Sequence, residues 1–214
     1  MKKYINLFIS SFLAGLLIAI GGIVYLSTKQ SSVVMAAFLF AFGLFTIINF
    51  KLDLFTGKVG YIFDNKPVFL FDLLIILLGN ATSSILSGYM LRSPLLLEDD
   101  RLSNLINNAL EVSNIKLNSS WLSILILSIF CGVMIYLAVE VSKREFHPLI
   151  KVITTFFAIA IFILCGFEHC IANMFYFSLA NVWCLKTILY ILIMIIGNSI
   201  GSLLIYWLLK IVKK

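Results

Sequence analysis

The chain has 214 residues, of which 62% are hydrophobic and only 12% charged, with a mean hydropathy of +1.09. Soluble domains are about 45–50% apolar, so this composition excludes an ordinary soluble enzyme or binding module and points to one integral membrane domain over residues 1–214. The formal charge of +6 then reads as topology, an excess of Lys and Arg on one side of a bilayer, and no nucleic-acid partner is expected.

A spanning helix needs about 20 mainly apolar residues. Six stretches qualify, roughly 5–26, 33–57, 69–91, 119–142, 149–178 and 185–211. The first follows Lys2 and Lys3 but is a full-length span without a small-residue cleavage site, so no cleavable signal is expected. The second and fifth are interrupted, at Lys51-Leu52-Asp53-Leu54-Phe55-Thr56-Gly57 and at Gly166-Phe167-Glu168-His169. Broken backbone at membrane depth survives only where protein buries it or a cavity solvates it. The longest connection, about 92–118, carries Glu98, Asp99, Asp100 and Glu111 and reads as an outer loop. With the N-terminus inside, ten Lys and Arg residues fall on the inner side, including Lys213 and Lys214, against five outside, with Lys51 left in the break. Both termini are therefore expected in the cytoplasm, at the cell membrane.

The chain also repeats itself. Gly79-Asn80-Ala81-Thr82-Ser83-Ser84 is echoed by Gly197-Asn198-Ser199-Ile200-Gly201-Ser202, and the segment from Phe50 to Gly57 aligns with that from Phe167 to Met174 at an offset of 117 residues. Three spans per copy is an odd number, which turns the second copy over relative to the first. The expected fold is all-α, six transmembrane helices in two inverted three-helix repeats (1–95 and 115–214), with helices two and five broken. Such repeats place a permeation site near the midplane, between them.

The chemistry gathers in Gly166-Phe167-Glu168-His169-Cys170-Ile171-Ala172-Asn173-Met174-Phe175, an acid, an imidazole and an amide inside an apolar span. Ionisable groups at bilayer depth are costly, so they line polar cavities or pair. His169 titrates near physiological pH and can share a proton with a weak acid. Thr56, beside the flexible Gly57, offers a hydroxyl to an anion, to His169 or to a carbonyl one turn back. Lys116 is either a vestibule cation that concentrates anions or an interfacial lysine snorkelling to the headgroups. Asn80 reads as structural and Asn198 as pore-facing. Asp53 is expected to pair with Lys51, or Lys51 with Glu168, because an isolated buried charge is expensive. Glu168 and Asn173 read as ties that hold the break. The four cysteines, Cys131, Cys165, Cys170 and Cys184, lack metal-ligand spacing, and neither metal nor cofactor is expected.

The decapeptide from Gly166 to Phe175 resembles the signature of the formate/nitrite transporter family. Phe12-Leu13-Ala14-Gly15 with Ile20-Gly21-Gly22 is similar to its first helix, Leu54-Phe55-Thr56-Gly57 to its second-helix break, Leu78-Gly79-Asn80 to its third helix and Ile196-Gly197-Asn198-Ser199-Ile200-Gly201 to its sixth. The resemblance implies an aquaporin-like homopentamer in the cell inner membrane. Each protomer would carry one pore for small monovalent anions such as formate, nitrite or hydrosulfide. It implies that His169 is the central pore histidine with Thr56 as partner, that Lys116 is the vestibule lysine and that Asn198 is the sixth-helix asparagine. It also implies apolar constrictions at Leu54 and Phe162, and at Phe40 and Leu44 on the cytoplasmic side. Two departures stand out: Gly132 occupies a position where many members have asparagine, and Lys51 and Lys58 add charge at a break that is usually neutral apart from one acid.

Three functions fit these residues to different degrees. An anion channel with proton-linked passage uses all of them. An intramembrane hydrolase built on Glu168, His169 and Asn173 lacks a second histidine or a paired glutamate in another span. A cation or water channel lacks the acidic rings of a cation filter.

Overall fold

The computed structural model describes residues 2–93 and 100–212, and every regular element in them is helical. Glu98 and Asp99 of the expected outer loop, and Lys213 and Lys214 of the expected inner terminus, lie outside the described residues. The helices are α1 (Lys2–Thr28), α2 (Val33–Asn49), α3 (Phe55–Lys58), α4 (Phe69–Leu91), α5 (Asp100–Asn118), α6 (Trp121–Lys143), α7 (Pro148–Leu164), α8 (Cys170–Ala180) and α9 (Leu185–Val212), with a 3-10 turn at Val59–Asp64 after α3. Four of them, α1, α4, α6 and α9, are long and apolar enough to cross a membrane, while α2, α7 and α8 are shorter apolar pieces. Their outward faces carry large apolar side chains such as Leu13, Leu74, Phe130 and Leu204, the pattern of surface that meets lipid or other apolar surfaces rather than water.

The region expected as a loop over 92–118 is corrected by α5, which runs through most of it. Its composition is too polar for a membrane span. Its buried residues Leu105, Ile106, Ala109 and Ser113 recur at helical spacing and face the bundle. Asn108 donates its amide to Leu26 O at 2.9 Å and Lys29 pairs with Glu111 at 2.8 Å, which fasten α5 to the end of α1. Helix α8 is the innermost element: all its residues are buried, and α1, α4, α5 and α9 pack around it.

Both interruptions are real, and they share one backbone solution. After α2, Lys51 N–H bonds to Ile48 O and Leu52 N–H reaches back to Ile47 O. After α7, Gly166 N–H bonds to Ile163 O and Phe167 N–H to Phe162 O. These are Schellman ends, which require a left-handed residue, supplied by Lys51 at φ 55° and Gly166 at φ 66°. Each chain then runs extended for a few residues to an N-cap, Leu54 (φ −100°, ψ 128°) or His169 (φ −103°, ψ 116°), where α3 or α8 begins. The equivalent residues are thus 115 apart, not 117. Leu54 corresponds to His169, and Asp53 to Glu168.

A helix that starts inside the bundle leaves its first N–H groups without partners. Two asparagines answer this in the same way. Asn80 accepts from Phe55 N–H at 2.8 Å and donates to Ser11 O at 2.7 Å and Asp53 O at 3.0 Å. Asn198 accepts from Cys170 N–H at 3.0 Å and donates to Ser128 O and Glu168 O, both at 2.8 Å. Each amide binds a long helix to a break and to its long-helix partner.

The clamps need α1 against α4 and α6 against α9 at backbone contact, and glycine permits it. A Cβ on Gly15 would run into the Asn80 backbone and Ser83 Oγ, and one on Gly132 into the backbone of Asn198. That accounts for Gly132 where the resemblance expects asparagine: the position has no room for a side chain. Gly15→Ala and Gly132→Ala are each expected to cost about 1–3 kcal/mol by overpacking. Gly166→Ala meets open space and pays only for its left-handed backbone, about 1–2 kcal/mol. Thermal unfolding of the three variants in detergent should show lower midpoints for all, with aggregation on gel filtration confined to the first two.

Candidate functional site

His169 sits at the start of α8 and does two jobs with one ring. Its Nδ1 accepts Ala172 N–H at 3.1 Å, a side-chain N-cap. That commits the Nδ1 lone pair, so in the neutral ring the proton resides on Nε2. Nε2 lies 2.9 Å from Thr56 Oγ1 on α3, and both residues are buried. Nε2–H donates to the hydroxyl, whose own proton is left to point onward. One hydrogen bond therefore joins the two broken segments at their N-terminal ends, both of which present positive partial charge.

Glu168, one residue earlier, is 3% exposed and is held from two sides. Its Oε2 accepts from Lys116 Nζ at 2.6 Å and from Asn173 Nδ2 at 2.8 Å, and the same amide donates to His169 O at 3.0 Å. Asn173 Oδ1 is buried without a hydrogen-bond partner among the described residues. Lys116 thus enters from the last turn of α5, with its side chain 13% exposed, and is not a headgroup-seeking lysine. The expected pairing of Lys51 with Asp53 or Glu168 is corrected as well: Asp53 pairs with Lys58 at 2.9 Å and accepts from Ser10 Oγ at 2.8 Å.

Around His169 stand aromatic rings. Phe162 is 6.1 Å from the imidazole and meets Phe40 edge-on at 5.9 Å. On this side a small cavity of about 70 Å³ is lined by Phe40, Phe162, Lys116, His169, Asn173 and Tyr176, among others. On the other side a cavity of about 670 Å³ ends on Leu44, Leu54 and Gly57. Phe40 therefore stands with Phe162 rather than with Leu44, which faces the opposite cavity beside Leu54. None of these four apolar residues is more than 4% exposed; Leu44 and Leu54 line the larger cavity and Phe40 and Phe162 the smaller, and Thr56 and His169 are buried as well.

Asn198 belongs elsewhere. Its carbonyl and amide both bond backbone, so it braces the break. Nothing in the sequence marks Lys116 as the partner of Glu168 beyond the helical spacing of apolar residues in α5. Lys151, which the resemblance places at a basic position at the inner start of the fifth span, lines the larger cavity together with Lys143.

The family model described as formate/nitrite transporter matches residues 1–212. The chain belongs to the formate/nitrite transporter family. Among solved structures, one described as a pentameric formate channel with formate bound aligns over 98% of this chain and 98% of its own, with a TM-score of 0.81 and 21% identity. Another, described as an FNT family ion channel, aligns over 98% of this chain and 90% of its own, with a TM-score of 0.82 and 19% identity. At those identities the likeness establishes the fold. A comparison with curated proteins found no match. This member of the formate/nitrite transporter family is a multi-pass membrane transport protein and not an enzyme.

Breaking a buried ion pair from one side costs about 3–5 kcal/mol, while replacing both charges is near neutral. Lys116→Met alone is therefore expected to lower the thermal midpoint sharply, and Lys116→Met with Glu168→Gln to recover most of it. Equal losses in the single and double variants would remove the pair from the stability of the break.

Proposed function

We propose that the protein is a channel for a small monovalent anion of the formate, nitrite or hydrosulfide class, with passage linked to a proton at His169. The observation that carries this reading is the Thr56–His169 hydrogen bond, set where two broken helices meet between two cavities. The protomer is read as six spans in two inverted three-helix repeats of aquaporin-like form, counting α2 with α3 and α7 with α8 as broken spans. The matched hydrogen bonds at the two breaks support that pairing. Both termini face the cytoplasm by the Lys and Arg distribution, which puts the Lys116 cavity outside. A homopentamer is proposed from the similar pentameric formate channel.

Carrying a charge across an apolar septum is costly, and carrying the neutral acid is not. Lys116 lines the small cavity with its charge shared with Glu168, so it offers an entering anion an N–H donor rather than a free charge. With the site empty, protonating the ring means breaking the Nδ1 cap at Ala172, beside the positive end of α8. An anion at Nε2 offsets both costs, so proton and anion arrive together. The anion takes the Nε2 proton and crosses Leu54 and Phe162 as the neutral acid; the ring, left protonated on Nδ1, then loses that proton and regains one on Nε2 beside the Thr56 hydroxyl, which restores the Ala172 cap.

In proteoliposomes under a formate gradient, uptake is expected to rise at least tenfold from pH 7 to pH 5. His169→Phe should flatten that profile while gel filtration shows an unchanged assembly. A flat wild-type profile removes the proton link. Flux of water or sorbitol in place of formate, nitrite and hydrosulfide removes the anion reading.

A further inference from the structure

The larger cavity exceeds the needs of the proposed passage. Its volume of about 670 Å³ falls in the range of small-molecule sites, about 300–1,000 Å³. A monovalent anion of three or four atoms would fill a small part of it. Its wall carries Lys51, Lys58, Lys143 and Lys151, and no acidic side chain lines it among the described residues. The first turn of α7, with Pro148 and Lys151, also borders it, adding the positive end of a helix. Three of the lysines have partners: Lys58 pairs with Asp53, Lys143 sits over the Tyr61 ring, and Lys151 donates to Ser142 O. Lys51 is in no ion pair among the described residues.

Lys51 is also the residue with the least local reason to be a lysine. It occupies the left-handed position of a Schellman end at φ 55°, and the matching position in the other break is Gly166 at φ 66°. Glycine adopts that backbone without cost and a lysine does not. Strain kept where a strain-free residue exists in the same chain indicates a use for the side chain. That side chain reaches a closed-ended cationic cavity. At the far end Leu44 and Leu54, each 1% exposed, leave no way through for a large polar group.

We propose that this cavity binds a multiply charged anion of the phosphate class, with Lys51 as a principal ligand, and that the seated anion plugs the passage from the Lys151 side. Several ammonium groups can share a polyphosphate, whereas a monovalent anion engages one at a time and moves on. This rests on the channel reading for its effect on flux, while binding itself does not.

Tripolyphosphate is the probe. It is titrated calorimetrically into the detergent-solubilised full-length protein, with chloride matched for ionic strength. In phosphatidylcholine proteoliposomes it is added to one face at a time during formate uptake. Lys51→Gly keeps the backbone the break prefers, so its thermal midpoint should not fall. Its affinity for tripolyphosphate should drop at least fivefold, and its block, scaled to its own uninhibited flux, should weaken in parallel. Block should come from one face only. Equal binding by wild type and Lys51→Gly, or block equal from both faces, overturns the proposal. So does an effect seen only with phosphatidylglycerol in the bilayer, since the site would then serve a lipid headgroup. Tripolyphosphate binding with no formate flux in either protein would uphold the site and overturn the channel reading instead.

Discussion

Inside a bilayer a helix cannot simply stop, because its terminal N–H and C=O groups have no water to turn to. This membrane protein stops two helices inside its helix bundle and restarts both. The C-terminal ends close on themselves through Lys51 and Gly166, and the restarted ends are closed by the carboxamides of Asn80 and Asn198. Leaving such a buried group unpaired costs about 1–3 kcal/mol, and each asparagine serves three. The glycine contacts of α1 with α4 and of α6 with α9 exist to bring those amides within reach.

With the breaks secured, the same positions become available for chemistry. The two N-caps are not alike: Leu54 caps nothing with its side chain, whereas His169 caps α8 with Nδ1 and turns Nε2 to Thr56. The preceding acids differ too. Asp53 is satisfied by Lys58 and Ser10 close to the break, while Glu168 calls Lys116 in from α5. One backbone device thus carries an apolar barrier in one copy and an ionisable, hydrogen-bonding group in the other. In the proposed channel their juxtaposition supplies a seal and a reactive group side by side.

Much of this was legible in the chain. The long helices α1, α4, α6 and α9 announced themselves as apolar runs bounded by charge, and the breaks as Lys51, Asp53, Glu168 and His169 inside such runs. Thr56 and His169 were expected together and stand together. The register of the two breaks differs by two residues from the side-chain alignment, because equivalence there lies in backbone shape: Lys51 matches Gly166, and Leu54 matches His169, pairs with no likeness of side chain. Helix α5 is not legible as a span because its pattern is amphipathic rather than apolar, and the Lys116–Glu168 pair is hidden with it. Asn198 was expected to face the passage, but a buried amide looks the same in sequence whether its partners are backbone or substrate.

The central claim is that the capped ring of His169 holds its proton on Nε2 when the site is empty and gains a second only with an anion beside it. The sequence has two histidines, and His147→Asn leaves one while keeping a residue suited to cap α7. Nitrogen-15 solid-state NMR of that protein in liposomes reads both ring nitrogens directly. At a fixed, mildly acidic pH the account predicts a neutral Nε2–H ring without formate and a doubly protonated ring with it. A proton on Nδ1 in the empty protein, or a ring indifferent to formate across the pH range, would contradict it.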